Sequence, residues 1–287
     1  MTVRQQVLRA SGLEFEADVA GELGSPLVLL LHGFPQTSYS WRHQLPALAD
    51  AGFFAVAPNQ RGYSATARPS GVEQYATDLL IADARAMAKS LGHTRFHLVG
   101  HDWGGQLSWL IAANFPDEVL SLTVLSRPHP AAFAKAMMAD AAQAERSKHH
   151  RAFQDGNAAR ELLEDGARRL RTTLANQGVP DGDVDAYLTR LGTFEALDAA
   201  INWYRAPRGK VSALALGDVP NVRVPTMYLW GDQDATVGRM AADATADFVA
   251  APYRFEVLPD VGHFVTDQAS ARVNELLIAW LIRQDGA

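Results

Sequence analysis

The sequence predicts an α/β domain built on a mostly parallel sheet with helices on both faces and a helical insertion. Two observations carry this. Short, nearly continuous apolar runs alternate with segments of helical spacing up to residue 126, and the alternation resumes after residue 218. Between them, residues 127–217 lose the strand-like runs and read as helix by periodicity. The expected organisation is therefore one core, 1–126 with 218–287, and one insertion, 127–217, placed after the sixth core strand.

Each element has its own signal. PLVLLLHG (26–33) is a buried strand, and SYSWRHQLPALADAG (38–52) is a helix that ends at glycine. FFAVAPN (53–59) is the next strand, followed by the loop QRGYSATARPSG and the helical EQYATDLLIADARAMAKSLG (73–92). FHLVGHD (96–102) is a strand, GGQLSWLIAANFP (104–116) a helix stopped by Pro116, and LSLTVLS (120–126) another strand. The insertion reads as AAFAKAMMADAAQAERSKHHRAFQ, ARELLEDGARRLRTTLANQG, VDAYLTRLG and LDAAINWYRA, all helical. TMYLWGDQD (226–234), the helical GRMAADATADFVA, the strand YRFEVLPD (253–260) and a last helix near 267–283 complete the core.

Bulk properties narrow the function classes. A chain of 287 residues can bury a sizeable core. Its formal net charge of −6 opposes a nucleic-acid footprint, which would be basic. It has no cysteine, so disulfides, thiolate metal sites and cysteine nucleophiles are all excluded. The first residues lack the apolar core of a secretory signal, and no run approaches the ~20 apolar residues of a membrane span. The expectation is a cytoplasmic protein with no membrane or nucleic-acid partner. Nothing in the sequence sets an oligomeric state.

The chemistry is concentrated at strand ends. LVGHDWGGQ (98–106) leaves a strand, turns through Gly100 and Gly104, and places Asp102 between them. A nucleophile elbow needs this strand-to-helix turn, with glycines where side chains would collide. The bland alternative is that Asp102 merely caps the following helix, since aspartate is a favoured N-cap. LLLHGFPQ (29–36) ends a second strand in a loop whose backbone N–H groups can face the same point. YLWGDQDAT and PDVGHFVTD end two more strands with Asp234 and His263. A nucleophile, then an acid, then a histidine, each past a strand's C-terminal end, is a catalytic order.

With HGFP, GHDWGG, GDQD and GHF in place, the chain resembles the α/β-hydrolase superfamily over nearly its whole length. More narrowly it looks like the epoxide hydrolases and their relatives the haloalkane dehalogenases. The resemblance implies an α/β-hydrolase fold with a helical cap after the sixth core strand. It also implies that Asp102 is the nucleophile and His263 the base, with Asp234 as its acid. Asp232 competes for that last role, but the family spacing from Gly231 selects Asp234. INWYRA (201–206) is similar to a cap segment that carries a ring-opening tyrosine, which corresponds to Tyr204. A second cap tyrosine usually precedes an F-Q pair. Counting back from Phe153-Gln154 places His149 there, and an imidazole N–H can also donate to an alkoxide.

The implied chemistry explains the carboxylate. Aspartate, with an ordinary pKa near 4, is about 99.9% ionised at neutral pH and can attack saturated carbon directly. The product is an alkyl ester of Asp102. His263 would activate water against that ester's carbonyl, with the oxyanion held by the backbone N–H groups of Phe34 and Trp103. An epoxide leaves as an alkoxide and wants an O–H donor such as Tyr204, whereas a halide wants weaker N–H donors. Trp103 serves either leaving group. Related dehalogenases often read HGNP where this chain has Phe34, and the arginines of a DRGAR-type motif are missing after Asp102. Epoxide opening therefore leads, and dehalogenation by the same triad is the alternative. A catalytically silent ligand receptor on this fold is the alternative from another class.

The bland readings sit beside these. His149 and His150 could be a solvated helix face beside Lys148 and Arg151, and Tyr204 could be an ordinary packed aromatic. His43, His93, His97 and His101 read as surface or core residues, and His129 between two prolines reads as a hinge. No cluster has metal-ligand spacing. No metal and no organic cofactor are expected, and the partner is a small, largely apolar substrate.

Overall fold

Eight strands form one sheet in the order β1-β2-β4-β3-β5-β6-β7-β8 in the computed structural model, which describes residues 1–206 and 219–285. The strands are β1 (Arg4–Ala10), β2 (Leu13–Ala20), β3 (Leu27–Leu31), β4 (Phe54–Pro58), β5 (Phe96–His101), β6 (Val119–Leu125), β7 (Thr226–Gly231) and β8 (Tyr253–Leu258). β3 to β8 run parallel, while β1 and β2 are antiparallel at one edge.

The core helices are α1 (Gln44–Asp50), α2 (Thr77–Ser90) and α3 (Trp103–Asn114). Between β6 and β7 come α4 (Pro130–Ala139), α5 (Ala141–Arg146), α6 (His149–Ala152), α7 (Ala158–Asn176), α8 (Asp181–Leu191) and α9 (Phe194–Arg205). The core closes with α10 (Arg239–Asp243), α11 (Val265–Gln268) and α12 (Ser270–Asp285). The helical insertion thus follows the sixth strand, as expected. Its expected end at 217, and the return to the core at 218, lie outside the described residues.

Apolar runs become central strands because alternate side chains enter two different cores. On β3, Leu27, Leu29 and Leu31 face one cluster while Val28 and Leu30 face the other. On β4, Phe54 and Val56 join the first, and Ala55 and Ala57 the second. Each fully buried leucine contributes about 1.5–3 kcal/mol. The first core holds Leu107 and Ile111 of α3 and extends to Leu197, Ile201 and Trp203 of α9. The cap segment therefore shares the main core. A smaller cluster joins Leu170, Leu174 and Tyr187 of the insertion to Phe264, the neighbour of His263.

Several features depart from the sequence reading, among them the run read as helical at 131–154, which extended Asp140 (φ −124°, ψ 108°) interrupts between α4 and α5. Residues 4–20, to which no element was assigned, form the edge hairpin, turning at Ser11 and Gly12 with φ of 52° and 75°. Residues 38–52 are not one helix, because Thr37 caps a short 3₁₀ turn at Ser38–Trp41 before α1 begins at Gln44. The helix read across 159–178 is broken at 164–167, where Asp165, Gly166 and Ala167 take φ of 51°, 68° and 64°. The last helix begins at Ser270, because α11 forms a separate turn before it.

Candidate active site

The elbow forms because glycine stands where the chain crosses itself. A Cβ on Gly104 would lie 2.1 Å from the Leu31 carbonyl oxygen, and one on Gly100 would lie 2.4 Å from that of Gly104. Between them Asp102 is held at φ 49°, ψ −115°. Such a conformation costs on the order of 1–3 kcal/mol at a non-glycine residue and persists only where surrounding packing fixes it. Asp102 makes no side-chain cap on α3. Its Oδ1 instead accepts the backbone N–H of Phe34 at 2.9 Å, across the site. Gly33 allows that approach, since a Cβ there would lie 2.4 Å from the same oxygen. Trp103 opens α3, so its N–H belongs to the helix's unpaired first turn.

The other two triad candidates converge on Asp102. His263 Nε2 lies 3.6 Å from Asp102 Oδ2, and its Nδ1 lies 2.9 Å from Asp234 Oδ2. Asp234 is oriented by three donors on its other oxygen: the N–H groups of Thr236 and Val237 and the Thr236 hydroxyl. Asp232 is exposed and turns toward the Asp260 N–H, away from His263. Three residues that the sequence did not single out for the site position the histidine. Thr236 Oγ1 lies 2.8 Å from His263 Nδ1. Ser126 Oγ donates to the His263 carbonyl at 2.7 Å, and His101 Nε2 lies 2.8 Å from that oxygen. None has a sequence signal, because each meets His263 only through the fold.

Electrostatics split the groups. Burial pushes against the Asp102 anion, but His263, His101 and the Phe34 N–H outweigh it and hold the carboxyl well below its ordinary range. Asp234 is lowered in the same way, against burial, by His263 and the Thr236 donors. Burial disfavours a charged His263, yet Asp234 and Asp102 overcome it and raise the imidazole to about 10. His101 and His32, fully enclosed, are driven by burial to about 4 and are neutral. His32 braces the loop as a neutral ring, accepting the Gln60 N–H at Nε2.

The insertion covers this site with aromatic rings. Tyr204 on α9 stands edge-on to Trp103 at 5.1 Å and to Phe34 at 5.5 Å between centroids. Burial first, then the charge of Asp102, raises its phenol well above the ordinary value, while the Trp103 indole N–H pulls the other way. His149 lies 6.2 Å from the Tyr204 ring, half-buried rather than fully solvated. Burial lowers its pKa, so it is neutral near pH 7. His150 stands closer to Tyr204, at 5.3 Å.

The alpha/beta hydrolase fold family matches residues 26–269. The chain belongs to that family. It is 34% identical over 284 residues to epoxide hydrolase 4 of Mus musculus, covering 96% of this chain and 78% of that one. It is 30% identical to epoxide hydrolase A of Mycobacterium tuberculosis, covering 96% and 97% of the two chains. The crystal structure of epoxide hydrolase A from Mycobacterium thermoresistibile superposes with a TM-score of 0.84 at 28% identity, over 98% of each chain. Within the family, the chain is thus similar to proteins named for epoxide hydrolysis. Among the described residues no group of three or more His, Asp or Glu could hold a metal ion. Nor is any helix of the described residues long and apolar enough to cross a membrane.

Proposed function

We propose that the protein is a hydrolase that opens an epoxide to a vicinal diol through an ester on Asp102. The single observation that carries this is an elbow carboxylate, ionised and held by the Phe34 N–H, facing both a His263–Asp234 pair and a cap tyrosine. Residues 1–126 and 218–287 form the catalytic core in this reading, and 127–217 the cap. The substrate is a small molecule with a largely apolar body, because Phe34, Trp103, Phe153 and Tyr204 wall the site. A cytoplasmic place of action fits a chain without cysteine.

The steps balance as follows. Asp102 attacks a ring carbon, the C–O bond breaks, and the phenol of Tyr204 gives its proton to the leaving oxygen. His149, whose Nδ1 lies 3.2 Å from the Arg146 carbonyl, is the second donor beside it in the tautomer that carries its proton on Nε2. The ester no longer carries the Asp102 charge, so His263 loses one of the two carboxylates that hold its proton. That proton restores Tyr204. Neutral His263, oriented by Asp234, then takes a proton from water, whose oxygen attacks the ester carbonyl. The tetrahedral oxyanion rests on the N–H groups of Phe34 and Trp103. Collapse releases the diol, its last proton coming from His263.

Replacing His263 by glutamine tests the reading, because it stops the second half of the cycle. Intact mass spectrometry is expected to show the full mass of an added epoxide on the peptide carrying Asp102. A haloalkane adduct, its mass reduced by hydrogen halide, would assign the alternative chemistry. Absence of any adduct from epoxides that the unaltered protein turns over would sink the covalent mechanism. Tight ligand binding with no turnover across a broad epoxide panel would point to a receptor.

A further inference from the structure

The turn that carries Asp234, residues 232–238, joins β7 to α10, and a helix of the insertion grips it. Gln143 of α5 has no exposed surface. Its Nε2 donates to the Thr236 carbonyl at 2.8 Å, and its Oε1 accepts the Gly238 N–H at 2.8 Å. Nε2 also donates to the Ser147 hydroxyl at 3.1 Å. A buried side-chain amide thus binds the backbone of the turn at two points, with both of its N–H groups and its oxygen in use. Arg146, about one turn further along α5, donates from Nη1 to the Asp234 carbonyl at 2.6 Å.

These contacts act on the peptide groups that aim the acid. The peptide unit between Thr236 and Val237 gives its N–H to Asp234 Oδ1 at 3.0 Å, and its C=O accepts from Gln143. A peptide bonded on both sides is fixed in orientation, and the bond to its oxygen strengthens the one from its nitrogen. The Thr236 N–H and hydroxyl meet the same Oδ1 at 2.7 and 2.8 Å. The other carboxylate oxygen, Oδ2, faces His263 Nδ1 at 2.9 Å. Outward from His263 the order is therefore Asp234, the 236–237 peptide and Gln143. An apolar side chain would fill the same space without a buried polar group to satisfy. The amide is the group that pairs with a C=O and an N–H at once.

We propose that Gln143 is a positioning residue for the hydrolytic half of the reaction. Through the 236–237 peptide it holds Asp234 in line with His263, so that the insertion, and not the core alone, sets the base that activates water. Arg146 supports the same turn from its other end. This rests on the epoxide-opening reading and adds to it a dependence of the second step on α5. Alkylation draws instead on Asp102, Phe34 and Tyr204, which lie on the elbow, the loop after β3 and α9. A simpler role is anchorage of the insertion, since α5 leads into α6 and the Arg146 carbonyl lies 3.2 Å from His149 Nδ1. The two roles differ in which step they touch.

The test separates the two steps with whichever of a panel of terminal epoxides, styrene oxide among them, the protein turns over fastest. In single turnovers with excess protein, rapid quench and intact mass spectrometry follow the alkyl-enzyme as it forms and decays. Gln143→Met keeps the volume of the side chain and removes both bonds to the turn. It is expected to leave alkylation within about 3-fold and to slow hydrolysis roughly 10- to 100-fold, so that ester accumulates. Hydrolysis is compared on its alkaline plateau, where a change reports the placing of His263 and not its titration. Arg146→Met, at an exposed position, is expected to slow hydrolysis in the same selective way but less, and it decides the matter if Gln143→Met does not fold. Equal losses in both steps would assign anchorage alone and overturn the proposal. So would a loss confined to alkylation, or unchanged rates. In each of those cases the epoxide reading stands. Turnover of none of the panel, or turnover with no ester in the His263→Gln variant, overturns that reading and this inference together.

Discussion

Loss of one charge at Asp102 acts on two neighbours at once. In the free protein that carboxylate helps raise both the His263 imidazole and the Tyr204 phenol. In the proposed mechanism ester formation removes it, so Tyr204 becomes the stronger acid as the alkoxide forms, and His263 becomes able to release its proton before water must be activated. The pH dependence of the two half-reactions follows from these directions. Asp102 is held below its ordinary range, so alkylation persists into acid. Hydrolysis needs neutral His263, whose pKa in the ester lies below the value of about 10 in the free protein. Hydrolysis therefore slows as pH falls through that lower value. Rapid quench and mass analysis are expected to show the alkyl-enzyme accumulating at acid pH, and accumulation at alkaline pH instead would contradict this sign. Tyr204→Phe removes the O–H donor and is expected to slow ring opening by roughly 10²- to 10⁴-fold. Near-normal opening of epoxides by that variant would leave His149 or His150 as the donor.

Three elements meet at a buried ionic knot that ties the cap segment to the loops of the site. Arg42, between the 3₁₀ turn and α1, binds Asp183 of α8 at 2.5 Å and Asp267 of α11 at 2.7 Å. Asp267 also accepts from Tyr187 of α8 and from Gln36, which lies two residues after Phe34. The knot thus joins the Phe34 loop, the helix just after His263 and the insertion. Asp267 has no exposed side-chain surface, so removing it leaves a largely buried guanidinium without its inner partner. Asp267→Ala is expected to cost about 3–5 kcal/mol in urea unfolding, the range for breaking a buried pair. Asp183→Ala, nearer the rim, is expected to cost less. Equal and negligible losses in both variants would show that the apolar contacts of α8 and α9 alone hold the insertion down.

Across the whole molecule, what was legible in the sequence was whatever short-range pattern controls. β3, β5 and β7 read as strands because both of their faces are buried, and Asp102 and Asp234 read as site residues because each follows such a strand, whereas His263 follows the half-buried β8. The edge hairpin was not legible. Its first strand buries nothing on one face, as the exposed Gln5, Val7 and Arg9 show, so its apolar signal is thin. The break at 164–167 was missed because Glu, Asp and Ala are common in unbroken helices, and a single glycine gives little warning. Thr236 and Ser126 carry no motif at all. Their roles arise only when β6 and the turn after β7 are brought against His263. In the proposed cycle an oxygen of Asp102 itself enters the product. A single turnover of excess protein with epoxide in heavy-oxygen water tests it most directly. The predicted result is an unlabelled diol, with the heavy oxygen recovered in the peptide that carries Asp102. Label in the diol from that first turnover, with none in the peptide, would contradict the account.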